Sequence, residues 1–136
     1  MHALRLAHTA LVPDGLLLVL HPFSAEPVVE ANSVALGVLD AHEFAGTVRA
    51  AEAGLERTVA NGLFAPDHES RVDVLEHFAD ADAFLEIVGD WQGTTIPPGV
   101  ESAVQQVPPP IAVRQPLVLM VLTALSASRA RRRRSV

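Results

Sequence analysis

The stretch Leu11–Phe23, LVPDGLLLVLHPF, constrains the chain more than any other, because a helical pattern ends there, turns once and becomes an unbroken apolar strand. Pro13 presets φ, Asp14 bonds readily to nearby backbone, and Gly15 accepts positive φ, so Pro13–Gly15 reads as a turn. Leu16, Leu17, Leu18, Val19 and Leu20 follow without a polar residue. A strand with one wet face alternates apolar and polar side chains; five apolar residues in a row predict a strand covered on both faces. Pro22 lacks an N–H and ends it. A second run of this kind, Leu117–Leu122, lies inside the apolar stretch Ile111–Leu125.

At 136 residues, with 49% hydrophobic and 19% charged side chains, the chain is long and apolar enough to bury a core as one globular domain. Its formal charge of −6 is unevenly placed, because five of the ten arginines fall in the last eight residues and the other five face all 16 acids. An acidic body disfavours nucleic acid as a partner, and residues 129–136 read as a disordered Arg-rich tail. With no cysteine there is no disulfide, thiolate metal site or thiol nucleophile. With no lysine there is no Schiff-base chemistry and no Walker-type phosphate loop. The uncharged run Pro116–Ser128 covers about 13 residues where a spanning helix needs about 20. It reads as a core strand, not a membrane segment, and the default compartment is the cytoplasm.

In chain order, Leu4, Ala7 and Leu11 share a helical face over His2–Leu11, with Arg5 and His8 on another and both His2 and His8 at the surface. Val28–Val29 and Val34–Leu39 flank Asn32–Ser33 and predict a hairpin. Asp40 reads as the N-cap of helix Ala41–Asn61, with Glu43 completing a capping box and Gly62 following. Phe44, Val48, Ala51, Leu55 and Val59 form that helix's apolar stripe. Asp67–His68–Glu69 reads as loop. Glu69–Phe78 reads as a strand with Val72, Val74 and Phe78 on its apolar face, a face that alternation also gives Glu76. Asp80 caps a helix ending at Gly89, Val100–Gln106 is a short helix, and Pro108–Pro110 is extended.

Helix, then Leu11-x-Pro13-x-Gly15, then an apolar strand resembles the L-x-P-G-G turn before the fifth strand of class I S-adenosylmethionine-dependent methyltransferases. Asp14 stands where that family usually has Gly. The order that follows, a long helix, a strand, a shorter helix and a final apolar strand, is similar to that family's C-terminal part. In that fold the last strand inserts between the fifth and sixth, antiparallel to both. The resemblance therefore implies an α+β fold, a small mixed and largely antiparallel sheet with a central C-terminal strand and helices packed on it, formed by residues 1–128 as a single half domain. The family holds its cofactor with a Gly-rich turn after its first strand and an acid ending its second. This sequence contains neither, so the resemblance assigns no cofactor-binding residue.

Few residues offer chemistry. His21, directly after the apolar strand, stands where the related fold lines its substrate cleft; the competing reading is a polar strand end. Glu76 and His77 are further candidates for acid–base work, against a solvated strand edge. His68, Glu69 and His77 are candidates for metal ligation if their segments approach, against a solvated loop and edge. His42–Glu43 lacks the second His of a metalloprotease helix, and no serine has a nucleophile-elbow context. Trp91 reads as a packing anchor. Three functions remain open. One is a methyltransferase-like half domain without its own cofactor, serving as an assembly or regulatory module. The second is a small pocket protein for an apolar ligand, and the third an enzyme using His21 or the Asp67–His77 region. In the first, Leu16, Leu18 and Leu20 lie near an interface with a second copy or with a cofactor-half protein.

Overall fold

The computed structural model describes residues 2–126; the Arg-rich segment 129–136 lies outside the described residues. The elements run α1 (His2–Ala10), β1 (Leu16–Pro22), β2 (Val28–Ala31), β3 (Val34–Val38), α2 (His42–Ala60), β4 (Phe64–Phe78), α3 (Ala81–Gly89), α4 (Pro98–Gln105) and β5 (Ile111–Ala124). The fold is α+β, with four helices and a five-stranded antiparallel sheet among the described residues. The strand order is β1-β5-β2-β3, and β4 also pairs with β5. Two compact units divide the described residues: residues 2–21, 48–71 and 118–126 form one, and residues 22–47 with 72–117 form the other.

In the first unit, β5 is the inner strand. The Ala124 N–H donates to the Gly15 carbonyl at 2.8 Å, and the next N–H, Leu125, donates to the Leu63 carbonyl at 2.9 Å. Successive residues of a strand direct their N–H groups to opposite edges, so β1 and β4 flank β5 on its two sides. That position explains the unbroken apolar run Leu117–Leu122: no residue from Ile111 to Ser126 is exposed. The core here gathers Leu55, Phe64, Leu122 and Ala124, with Leu4, Leu11, Leu17, Val19 and Val59 packed against them.

The turn into β1 differs from expectation in one respect. Its positive φ, +62°, falls on Asp14, the third residue of a turn closed by Gly15 N–H donating to Val12 O at 2.9 Å. Gly15 is needed for a close approach instead, since a Cβ there would stand 2.8 Å from the Val12 carbonyl oxygen. A larger correction concerns β1 itself. The expectation that Leu16–Leu20 is covered on both faces fails, because Leu16, Leu18 and Leu20 are 55%, 63% and 57% exposed while Leu17 and Val19 are half-buried. β1 ends the strand order, and only its Leu17–Val19 face meets the core.

In the second unit, β2 and β3 form the predicted hairpin through Asn32 (φ +49°) and Ser33 (φ +64°), the two left-handed residues of a type I′ turn. β2 pairs antiparallel with the start of β5, Val28 opposite Arg114 and Ala31 opposite Ile111. The core collects Val29, Leu39, Phe78, Phe84, Val88, Val104 and Ile111, with Phe84 edge-on to Phe78 at 5.5 Å. Asp80 caps α3 as predicted, accepting the Ala83 N–H at 2.8 Å. Asp40 sits one position earlier than a regular cap; its carboxylate takes the His42 N–H at 3.1 Å and meets the His42 ring at 2.8 Å. Those donors, the backbone N–H first, hold its pKa below the ordinary 3.8. Trp91 packs against this core near Phe78, at 6.5 Å between rings.

Candidate functional site

β1 presents two rows of side chains because successive residues of a strand point to opposite faces. Leu17, Val19 and His21 form the inner row; Leu16, Leu18 and Leu20 form the outer one. The inner row lies against α2, whose apolar stripe Val48–Ala51–Leu55–Val59 contains one acid at helical spacing, Glu52, four residues after Val48 and three before Leu55. His21 and Glu52 meet there, Nδ1 to Oε1 at 3.3 Å, with the imidazole 14% and the carboxylate 41% exposed. Each polar residue interrupts an otherwise apolar stripe, and the two interruptions face each other.

Beside this pair the first unit holds a cleft of about 360 Å³ walled by α1 (Ala3, Leu4), β1 (Val19, Leu20, His21) and α2 (Val48, Ala51). That is within the size range of small-molecule sites. Small residues keep it open. A Cβ on Gly54 would meet only the Arg57 guanidinium, at 3.8 Å, although Gly54 is a buried helical position. The remaining polar lining beyond the His21–Glu52 pair is Arg57, and no hydroxyl or thiol lines the cleft. The arrangement therefore offers one acid–base pair and no nucleophile.

The other sequence candidates separate. Asp67–His68–Glu69 is not a loop; all three residues lie in β4, which begins at Phe64 instead of Glu69. The reason is that Leu63 and Phe64 already join the core and the strand pairs with β5 from there. His68 and Glu69 are neighbours on that strand and so point to opposite faces, as do Glu76 and His77; all four are exposed. His68 and His77 stand nine positions apart along a strand that advances about 3.3 Å per residue. Among the described residues no group of three or more His, Asp or Glu side chains could hold a metal ion. Val72 and Val74, expected on an apolar face, are 41% and 45% exposed.

His8, expected at the surface, is partly buried. Its Nε2 lies 2.9 Å from the Leu125 carbonyl and its ring stands edge-on to Phe64. Glu30, 8% exposed, is a hairpin residue that no sequence motif marks; it takes two hydrogen bonds from Arg114, at 2.9 and 3.3 Å. Arg114 also reaches Asp73 on β4 at 3.6 Å. These carboxylates, Glu30 foremost, raise the guanidinium's pKa above its ordinary value. This triad ties β2, β5 and β4 together.

Among the described residues no helix is long and apolar enough to cross a membrane. Comparisons with protein-family models, with curated protein sequences and with solved structures gave no match.

Proposed function

We propose that these residues form a methyltransferase-like half domain that works as an assembly module, with the outer edge and outer row of β1 as its docking surface. The observation that carries the reading is the position of β5 between β1 and β4, antiparallel to both. This is the arrangement the L-x-P-x-G resemblance implies for the final strand. The left-handed backbone at Asp14 supports it too, because that is the position where the family usually has Gly.

The two outer strands of the first unit's sheet differ in their chemistry. β4 carries Asp67, His68, Glu69 and Arg71 along its exposed length, the charged pattern with which proteins protect a sheet edge from pairing. β1 has no charge and no Pro from Leu16 to Leu20, has no strand neighbour other than β5 among the described residues, and exposes three leucines in a row. Such an edge takes a strand from outside: a second copy of this chain in a closed two-fold pair, or a cofactor-binding half. Within this proposal no cofactor is assigned to these residues, neither nucleic acid nor membrane is a partner, and the compartment is the cytoplasm, a placement that rests on the sequence reading.

Sedimentation of the purified chain at tens of micromolar is the test. The expected result is a dimer, with Leu18→Glu giving monomer or aggregate. A monomeric wild type together with an unchanged Leu18→Glu variant would overturn the docking role. Calorimetric titration with S-adenosylmethionine tests the half-domain assignment separately. Saturable 1:1 binding below about 10 μM, roughly 7 kcal/mol, would contradict it.

A further inference from the structure

We infer that the cleft between α1, β1 and α2 is a binding site for an uncharged, mainly apolar compound carrying a hydrogen-bond-donating hydroxyl, with the His21–Glu52 pair as its polar anchor. This goes beyond the docking role, which uses the outer row and edge of β1. Three independent features lead to it.

The first is that packing alone does not call for the pair. His21 continues the inner row Leu17–Val19, and Glu52 sits within the stripe of Val48 and Leu55, so leucine at both positions would extend the existing core. With the carboxylate 41% exposed, the pair is only partly out of water, and apolar residues at both positions would bury further surface in its place. The second is that the cleft is held open by small side chains. Ala3, Ala51 and Gly54 line it, and a Cβ on Gly54 would meet only the mobile end of Arg57, at 3.8 Å. Glycine inside a helix lowers its stability relative to alanine, and no close contact at Gly54 requires it.

The third is the chemistry of the walls. Leu4, Val19, Val48 and Leu55 supply apolar surface on three sides, as in most small-molecule sites, while polar groups are few and convergent. Glu52 engages His21 through Oε1 and is 41% exposed, so its carboxylate has further acceptor capacity toward the cleft. Glu52 and Arg57 line the cleft with opposite charges, so its walls favour no net ligand charge, and the Glu52 carboxylate accepts a hydroxyl proton, which sets the ligand class.

The test uses the full chain, labelled with ¹⁵N, titrated with 2-naphthol and followed by amide and imidazole shifts; naphthalene serves as the ring without the hydroxyl. The expected result is saturable change confined to residues around Val19, His21, Val48, Glu52 and Leu55, including the His21 ring nitrogens. Gly54→Leu fills the cleft and replaces a helical glycine by a better helix former. It is expected to fold with an unchanged or higher melting temperature and to lose at least tenfold in affinity for both probes. The double variant His21→Leu/Glu52→Leu is expected to melt no lower than wild type, to bind 2-naphthol about tenfold more weakly, and to keep its naphthalene affinity. A pair that serves only the fold would instead show a lower melting temperature with unchanged preference between the probes. Shift changes centred on Leu16 and Leu18, absence of saturation up to the solubility limit of 2-naphthol, or wild-type affinity in Gly54→Leu would each overturn the assignment.

Discussion

The same substitution, leucine to alanine, should have very different consequences on the two paired strands β1 and β5. Leu122 on β5 is fully buried among Leu55, Phe64 and Ala124. Truncating it removes apolar contact and leaves a cavity that its packed neighbours only partly fill, so the cost is about 3–5 kcal/mol. Leu18 on β1 is 63% exposed. Full burial of a leucine is worth about 1.5–3 kcal/mol, and little more than a third of Leu18 is out of water, so Leu18→Ala should cost roughly 0.5–1 kcal/mol in the isolated chain. Against a typical total of about 5–15 kcal/mol, the first change removes a large fraction of stability and the second very little.

Urea unfolding followed by far-UV circular dichroism at low protein concentration measures both, provided the slope with urea stays constant between variants. Equal losses at the two positions would mean that the outer row of β1 is covered from within the chain. A loss below about 1 kcal/mol for Leu122→Ala would mean that β5 is not the inner strand. Repeating the series at high concentration adds a second readout, since association stabilises the folded chain by mass action. Wild-type stability should rise with concentration, and Leu18→Ala should blunt that rise.

Two further outcomes follow from local geometry. Ser33→Gly should stabilise the β2–β3 hairpin by about 0.5–1 kcal/mol in thermal unfolding, because Ser33 holds φ at +64° in a turn that favours Asn-Gly; an unchanged or lower melting temperature would refute the turn assignment. Asp40 is held below its ordinary pKa of 3.8 by its bonds to His42. A carboxylate whose folded pKa is depressed contributes stability above the ordinary value and loses it as pH falls through the lower one. The start of α2 should therefore loosen below about pH 4 in a way that Asp40→Asn, measured by hydrogen exchange at the first turn, removes.

Most of the fold was legible because its signals are local. Asn32–Ser33, Asp80, Gly62 and the stripe of α2 each act within a few residues, and the hairpin, the cap of α3 and the long helix follow them closely. What failed was the inference from an apolar run to the cover above it. Leu16–Leu20 and Leu117–Leu122 look alike as strings, yet β5 has strands on both edges and no exposed residue, while β1 ends the sheet with one face open. Apolar composition records that a strand belongs against other apolar surface; it does not record whether that surface comes from the same chain. β4 failed in the opposite sense. Its polar, Pro-containing start resembles a loop, but pairing with β5 satisfies its backbone and leaves its side chains in water.

The site was half legible for a related reason. His21 stands out because it follows an apolar strand, but its partner, 31 positions later on another element, has no neighbour in sequence that signals it. The signal lies in phase. Glu52 occupies the stripe of Val48 and Leu55, as His21 occupies the row of Leu17 and Val19 and Glu30 a nearly fully buried position on β2. Each is a charged or titratable group placed where the local period calls for an apolar one, and each has its counter-group on a facing element, Glu52 for His21 and Arg114 for Glu30. A polar residue in phase with an apolar stripe therefore implies a partner on a facing element, since an unpaired charge there would be too costly to keep. The two pairs part at the next step. Arg114 closes over Glu30 with two hydrogen bonds and adds Asp73, which makes a tie between strands. His21 and Glu52 meet at 3.3 Å and both line a cleft of about 360 Å³, and that shared cleft is what places this pair, unlike the other, to receive a ligand.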